Sequence, residues 1–84
     1  MINVLFFGRV REALDCDRKT LPFDERCTDL DTLQALLCAE GGERWCEVLA
    51  QDNMIRAVNQ EVASGNPTLA DGDEVAFFPP VTGG

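Results

Sequence analysis

Histidine is absent from this 84-residue chain, which removes the side chain most often used as a general base and as the partner of a nucleophilic serine or cysteine. Triad chemistry is thereby excluded. The sequence also has no GxxxxGK[ST] phosphate loop and no GxGxxG turn, so it carries no recognisable cradle for ATP or a dinucleotide. Basic residues are scarce, 7 against 15 acidic ones, for a formal net charge of −8 at pH 7. That balance repels phosphate backbones and anionic membrane surfaces, which argues against nucleic acid or membrane as partner and favours a basic protein surface. The same acidity also serves simply to keep a small domain soluble. No apolar run approaches the ~20 residues of a membrane helix. The opening Met1-Ile2-Asn3-Val4-Leu5-Phe6-Phe7 lacks the basic flank and cleavage site of a signal peptide. The expectation is a soluble, cytoplasmic protein.

Cysteine is present but not in a pattern that declares a use. Cys16, Cys27, Cys38 and Cys46 stand 11, 11 and 8 positions apart, without the CxxC pairs of zinc sites or the density of secreted disulfide scaffolds. Reduced thiols that fill the core or lie casually exposed are the simplest account, and no metal is assigned.

A chain of this length builds one modest core and has no room for a second lobe around a cofactor cleft. With 45% hydrophobic and 26% charged residues, it has the composition of an ordinary folded domain. Residues 2–7 are almost continuously apolar, and Val75-Ala76-Phe77-Phe78 has the same character. Both read as strands covered on two faces and therefore central in a sheet. If parallel neighbours, they need a crossover that includes a helix. Thr28-Asp29-Leu30-Asp31 has the form of a capping box, Leu30, Leu33, Leu36 and Leu37 follow at helical spacing, and Gly41-Gly42 stops the run. Trp45, Val48 and Leu49 suggest a shorter helix, as do Val10, Ala13 and Leu14. Residues 19–23, 55–59 and the Val62-Ala63 pair complete the strands, with turns at Ser64-Gly65-Asn66-Pro67 and Asp71-Gly72. The order β-β-α-β-β-β gives an α+β fold: a mixed sheet of about five strands crossed by one main helix, with short extra helices, which is the β-grasp (ubiquitin-like) arrangement. Residues 1–80 form this domain, and 81–84 an extended, flexible tail.

The end of the chain, Phe77-Phe78-Pro79-Pro80-Val81-Thr82-Gly83-Gly84, is hard to explain as packing. Neither proline donates a ladder hydrogen bond, and their fixed φ keeps the backbone extended. The four residues after Pro80 reach about 13–14 Å at ~3.3–3.6 Å each. Gly83 and Gly84 enter a channel too narrow for a β-carbon, bringing an unobstructed carboxylate. A terminal carboxylate with a pKa of about 3.3–3.7 is anionic at neutral pH and a poor electrophile. Adenylation followed by attack of a sulfur nucleophile converts it to a thiocarboxylate. Because the chain has no ATP site of its own, it is expected to be the substrate of an activating partner, with no cofactor bound by this chain and ATP used by that partner.

In Val4-Leu5-Phe6-Phe7 with Val10-Arg11-Glu12, in the Ala57-Val58-Asn59-Gln60 strand, and above all in Asp71-Gly72-Asp73-Glu74-Val75-Ala76-Phe77-Phe78-Pro79-Pro80-Val81-Thr82-Gly83-Gly84, the sequence resembles the small subunit of molybdopterin synthase, within the ubiquitin-like sulfur carriers. The resemblance runs end to end and implies a β-grasp fold. It implies that an E1-like enzyme adenylates Gly84 and that a persulfide donor makes it a thiocarboxylate. The carrier would then dock on a large synthase subunit, in a heterotetramer, and give its sulfur to a pterin precursor as the dithiolene is built. By position it makes Gly84 the sulfur-bearing residue, puts Pro80, Val81, Thr82 and Gly83 in the inserted tail, and places Phe7, Arg11 and Phe78 at the partner interface. For the two phenylalanines, core packing is an equal reading, and Arg11 is equally well a solvated side chain. Two alternatives stand beside this one: a sulfur carrier of thiamine or cysteine biosynthesis, and a ubiquitin-like modifier or interaction domain.

Overall fold

Strands β1 (Ile2–Phe6) and β5 (Glu74–Phe78), from opposite ends of the chain, lie side by side and parallel, with Asn3 opposite Glu74 and Phe6 opposite Phe77. The structure, a computed structural model, describes residues 1–51 and 54–79. Between the two strands run α1 (Gly8–Leu14), β2 (Arg18–Leu21), α2 (Leu30–Gly41), α3 (Glu43–Leu49), β3 (Ile55–Val58) and β4 (Glu61–Val62). The sheet order is β2-β1-β5-β3-β4, and every pairing other than β1 with β5 is antiparallel. This is the mixed five-stranded β-grasp sheet that the sequence implied.

The main helix starts one residue later than the sequence suggested. Asp29, not Thr28, is the N-cap: its carboxylate accepts the Thr32 amide at 2.8 Å, and the Thr32 hydroxyl faces the Asp29 amide at 3.1 Å. Asn66, far along the chain, adds a second cap by accepting the Asp31 amide at 2.7 Å. Leu30, Leu33 and Leu37 point into the sheet and are fully buried, each contributing about 1.5–3 kcal/mol of apolar burial. The helix ends at Gly42, whose φ of 87° and ψ of −169° fall in a region that is essentially closed to residues with a β-carbon. This turn sends α3 off at a new angle, with Trp45 meeting the Phe6 ring edge-on at 5.4 Å. Phe6 also stacks on Phe77 at 5.8 Å, and Lys19 lies 5.4 Å over the Trp45 ring.

Three further boundaries differ from expectation. β2 stops at Leu21, before Pro22, which cannot donate to the ladder; Phe23 lies beyond it and is exposed. Asn59 is not a strand residue but forms, with Gln60, the two-residue loop of the β3–β4 hairpin, both at positive φ (50° and 69°), as primed hairpin turns demand. The β4 piece is Glu61–Val62, one residue earlier than read. The expectation that β1 is covered on both faces is also wrong. Its burial alternates, with Ile2, Val4 and Phe6 buried, Asn3 exposed and Leu5 half-buried, because the helices pack on one face only.

Arg56 fixes the helix layer to the sheet. Projecting from β3 on the helix side, its guanidinium donates to Asp31 at 2.8 Å, to Gln34 at 3.2 Å and to the Gly65 carbonyl at 2.9 Å.

Two stability predictions follow from the helix and its ends. Leu33→Ala should lower the free energy of unfolding by about 2–5 kcal/mol and Gly42→Ala by about 1–3 kcal/mol, as read from urea denaturation. The Asp29 carboxyl is held below the usual carboxylate range by the Thr32 amide and then by the Thr32 hydroxyl. A depressed folded-state pKa stabilises above the unfolded value near 3.8 and is lost as pH falls through the folded one. Asp29→Ala should therefore reduce the urea midpoint at neutral pH, and the difference from wild type should shrink on acidification below the carboxylate range.

Candidate docking surface and the base of the C-terminal segment

The uncovered face of the sheet is apolar at its centre. Strand register puts Leu5 of β1 beside Ala76 of β5, Ala76 opposite Ala57 of β3, and Ala57 opposite Val62 of β4, all on the side away from the helices. Ala57 and Ala76 are buried yet lie outside the main core cluster. They form the floor of a groove of about 380 Å³ whose walls include Leu5, Phe7, Val62 and Phe78. Val62 is 75% exposed and Phe7 39%, so apolar surface here has no cover within the chain. Gln60 and Glu74 line the groove as well, and Asn3, Arg18 and Thr20 border an adjoining hollow beside Leu5. An apolar centre with a polar border is the anatomy of a protein interface.

Phe7 and Phe78 are neighbours at one end of the groove. Their rings stack at 4.8 Å with 6° between planes, and the Phe7 amide donates to the Phe77 carbonyl at 3.1 Å. It is Phe6 and Phe77, their chain neighbours, that fill the core. The alternation of the strands thus puts Phe7 and Phe78 on the open face. Immediately after them, Pro79 lies against Gly8, with its Cγ 3.0 Å from where a β-carbon on Gly8 would stand. The C-terminal segment therefore leaves β5 at the rim of the groove, beside the start of α1. Pro80, Val81, Thr82, Gly83 and Gly84, the residues expected to carry the chemistry, lie outside the described residues, as does the domain boundary at 80.

Residues 4–84 match the ThiS family. The chain is a member of the ThiS family. It is 45% identical to the molybdopterin synthase sulfur carrier subunit of Escherichia coli (strain K12), with 100% of both chains covered. Among solved structures, it is similar to a chain in the complex of subunits 1 and 2 of molybdopterin-converting factor from Helicobacter pylori 26695, with TM-score 0.68, 28% identity and coverage of 99% and 97%. It is also similar to small archaeal modifier protein 1 of H. volcanii, with TM-score 0.66, 25% identity and coverage of 95% and 97%.

In this ThiS-family chain, Arg11 does not join the Phe7–Phe78 pair by any hydrogen bond. It lies in the last turn of α1, exposed, and among the described residues its side chain makes no ion pair. The open-face residues Leu5, Ala57, Gln60, Val62 and Ala76 were not singled out from the sequence. The available signal was the phase of the strands: they alternate with core residues, so they face the opposite way. Among the described residues no group of three or more Cys, Asp or Glu side chains converges to hold a metal, and no helix is long and apolar enough to cross a membrane. What the arrangement supplies is adhesion and direction: an apolar patch and a strand end leaving from its edge.

The stacked pair should be energetically coupled. A double-mutant cycle of Phe7→Ala and Phe78→Ala, followed by urea unfolding, should return a coupling energy of about 0.5–1.5 kcal/mol.

Proposed function

We propose that this protein is a cytoplasmic sulfur carrier and the small, sulfur-donating subunit of a molybdopterin synthase, inactive on its own. The observation that carries the reading is the exit of β5 at Phe78 and Pro79 beside the uncovered groove. A partner that covers Phe7, Phe78 and Val62 is then positioned to receive the chain's last residues. End-to-end similarity to curated sulfur carrier subunits supports the same reading.

The chemistry proceeds at the Gly84 carboxylate. An E1-like partner transfers AMP to it from ATP, releasing pyrophosphate and creating a mixed anhydride with a good leaving group. The terminal sulfur of a protein persulfide attacks the carbonyl, AMP departs, and cleavage of the sulfur–sulfur bond by a thiol leaves the thiocarboxylate. The loaded carrier docks on a large synthase subunit, in a heterotetramer with one small subunit at each end. Pro80, Val81 and Thr82 line the entry, Gly83 passes its narrowest part, and the sulfur is delivered to a pterin precursor. Binding energy from the groove is spent on placing the thiocarboxylate next to its acceptor, which converts a bimolecular encounter into an effectively unimolecular step. Arg11 contributes at the border of the same interface.

A second reading, conjugation to lysines as a modifier, is favoured by the likeness to the archaeal modifier protein. It shares the adenylation step and differs in its product.

Incubation with an adenylating partner, ATP and a persulfide donor should replace one oxygen by sulfur at Gly84, localised by mass spectrometry of the C-terminal peptide. Deletion of Gly84, or addition of one residue after it, should abolish transfer without altering the unfolding curve, since an exposed terminus contributes little stability. Phe7→Asp should weaken binding to the large subunit at least ~10-fold. An unmodified terminus in the presence of competent partners would overturn the carrier reading, and isopeptide-linked products would transfer it to the modifier class.

A further inference from the structure

Amines are scarcer than thiols in this chain. Lys19 is its only lysine, so acyl transfer to a side-chain amine has one address, and the Met1 amino group is the one other amine. Met1 is paired with Asp71. Lys19 is engaged as well: its Nζ lies 5.4 Å from the centroid of the Trp45 ring, within the range in which a cation is attracted to the face of an indole. Strand register sets the side on which this happens. Lys19 stands opposite Val4, whose side chain is in the core, so it projects toward the helix layer rather than onto the open face, and it is half-buried. Trp45 is itself held in place. Its ring meets Phe6 edge-on, and it packs so closely over Gly41 that a β-carbon there would have no room.

We propose that Trp45 shields Lys19 from acylation, and that the acyl donor it guards against is the activated C-terminus of a second copy of this chain. In that reaction the Lys19 nitrogen attacks the carbonyl of the Gly84 mixed anhydride, an amide bond forms, the bond to the AMP oxygen breaks, and the nitrogen loses two protons to solvent. The product is a pair of joined carriers with one terminus spent. Trp45 opposes it in two ways. The indole covers one side of the nitrogen, and its attraction acts on the charged ammonium and is lost once the nitrogen becomes a neutral nucleophile. A partner seated in the open-face groove stands on the other side of the sheet, so this protection comes from the chain itself. The donor rests on the proposed activation of Gly84; the shielding rests on the geometry at Trp45 alone.

The test has two arms. In the first, the full chain is treated with the N-hydroxysuccinimide ester of acetate, and acetylation of Lys19 is followed by mass spectrometry beside an N-acetylated peptide of residues 17–22. Lys19 should react more slowly in the protein than in the peptide, and Trp45→Leu should speed it by about 2–5-fold, with Trp45→Phe in between. Urea unfolding checks that each variant is folded, and an unchanged Met1 rate separates loss of the cover from general loosening. Equal Lys19 rates in wild type, Trp45→Leu and Trp45→Phe would overturn the shielding. In the second arm, wild type and Trp45→Leu are incubated with an adenylating partner and ATP but no sulfur donor. Tryptic peptides 19–26 and 57–84, joined through Lys19 and Gly84, should be more abundant in the variant. Pyrophosphate release without joined peptides in Trp45→Leu would overturn the assigned donor. Absence of pyrophosphate release would overturn the carrier reading and the donor with it, and the first arm would still decide the shielding.

Discussion

The parallel pairing of β1 with β5 is the constraint on which the rest of the molecule depends. Two parallel neighbours cannot be joined by a tight turn, so everything between them is a connection that must travel back across the sheet. The helices of that connection settle on one face, as the handedness of crossovers requires. The pairing is tied at both ends by backbone hydrogen bonds, from Asn3 to the Asp73 carbonyl and from Phe7 to the Phe77 carbonyl, each 3.1 Å. The Met1 amino group is also paired with Asp71. The consequence for function is positional. Phe7 directly follows the first strand and Phe78 ends the last, so β5 ends where the two rings stack.

The two faces of the sheet then divide the labour. One face holds the core of Phe6, Phe77 and the α2 leucines, with Arg56 anchoring the helix from β3 and Asn66 capping it from a loop. The other face keeps Leu5, Phe7, Val62 and Phe78 around the Ala57 and Ala76 floor. Small residues at the floor let larger ones form walls, which is how a flat sheet acquires a groove. The open face therefore presents an apolar groove with the end of β5 at its rim.

Much of this was legible in the residues. The leucine spacing of α2, its Gly41-Gly42 end, the shorter helices around Val10 and Trp45, and the central strands at either end of the chain all rest on local periodicity and turn chemistry. The errors came from non-local causes. Thr28 and Asp29 are both good caps, and only the docking of loop 66–69 against the helix start decides between them: the Leu30 amide reaches the Pro67 carbonyl at 3.1 Å and the Thr28 carbonyl accepts from Leu69 at 2.9 Å. Asn59 has strand neighbours, yet its side chain bonds Asp73 and the Glu74 amide, both at 3.0 Å, and that holds it in a turn.

The apolar runs at residues 2–7 and 75–78 show where sequence alone stops. Their composition pointed to central strands, because short apolar runs rich in Val, Ile and Phe and bounded by turn residues fit the interior of a sheet. It could not determine what would cover them, and an unbroken run reads as burial on both sides. The sequence likewise supplied the Gly83-Gly84 ending through residue types alone. Only the tertiary structure decided that Phe6 and Phe77 are core while Phe7 and Phe78 line the open face. The reason is that side-chain direction alternates along a strand, and whether each face finds a covering layer depends on helices packed from elsewhere in the chain.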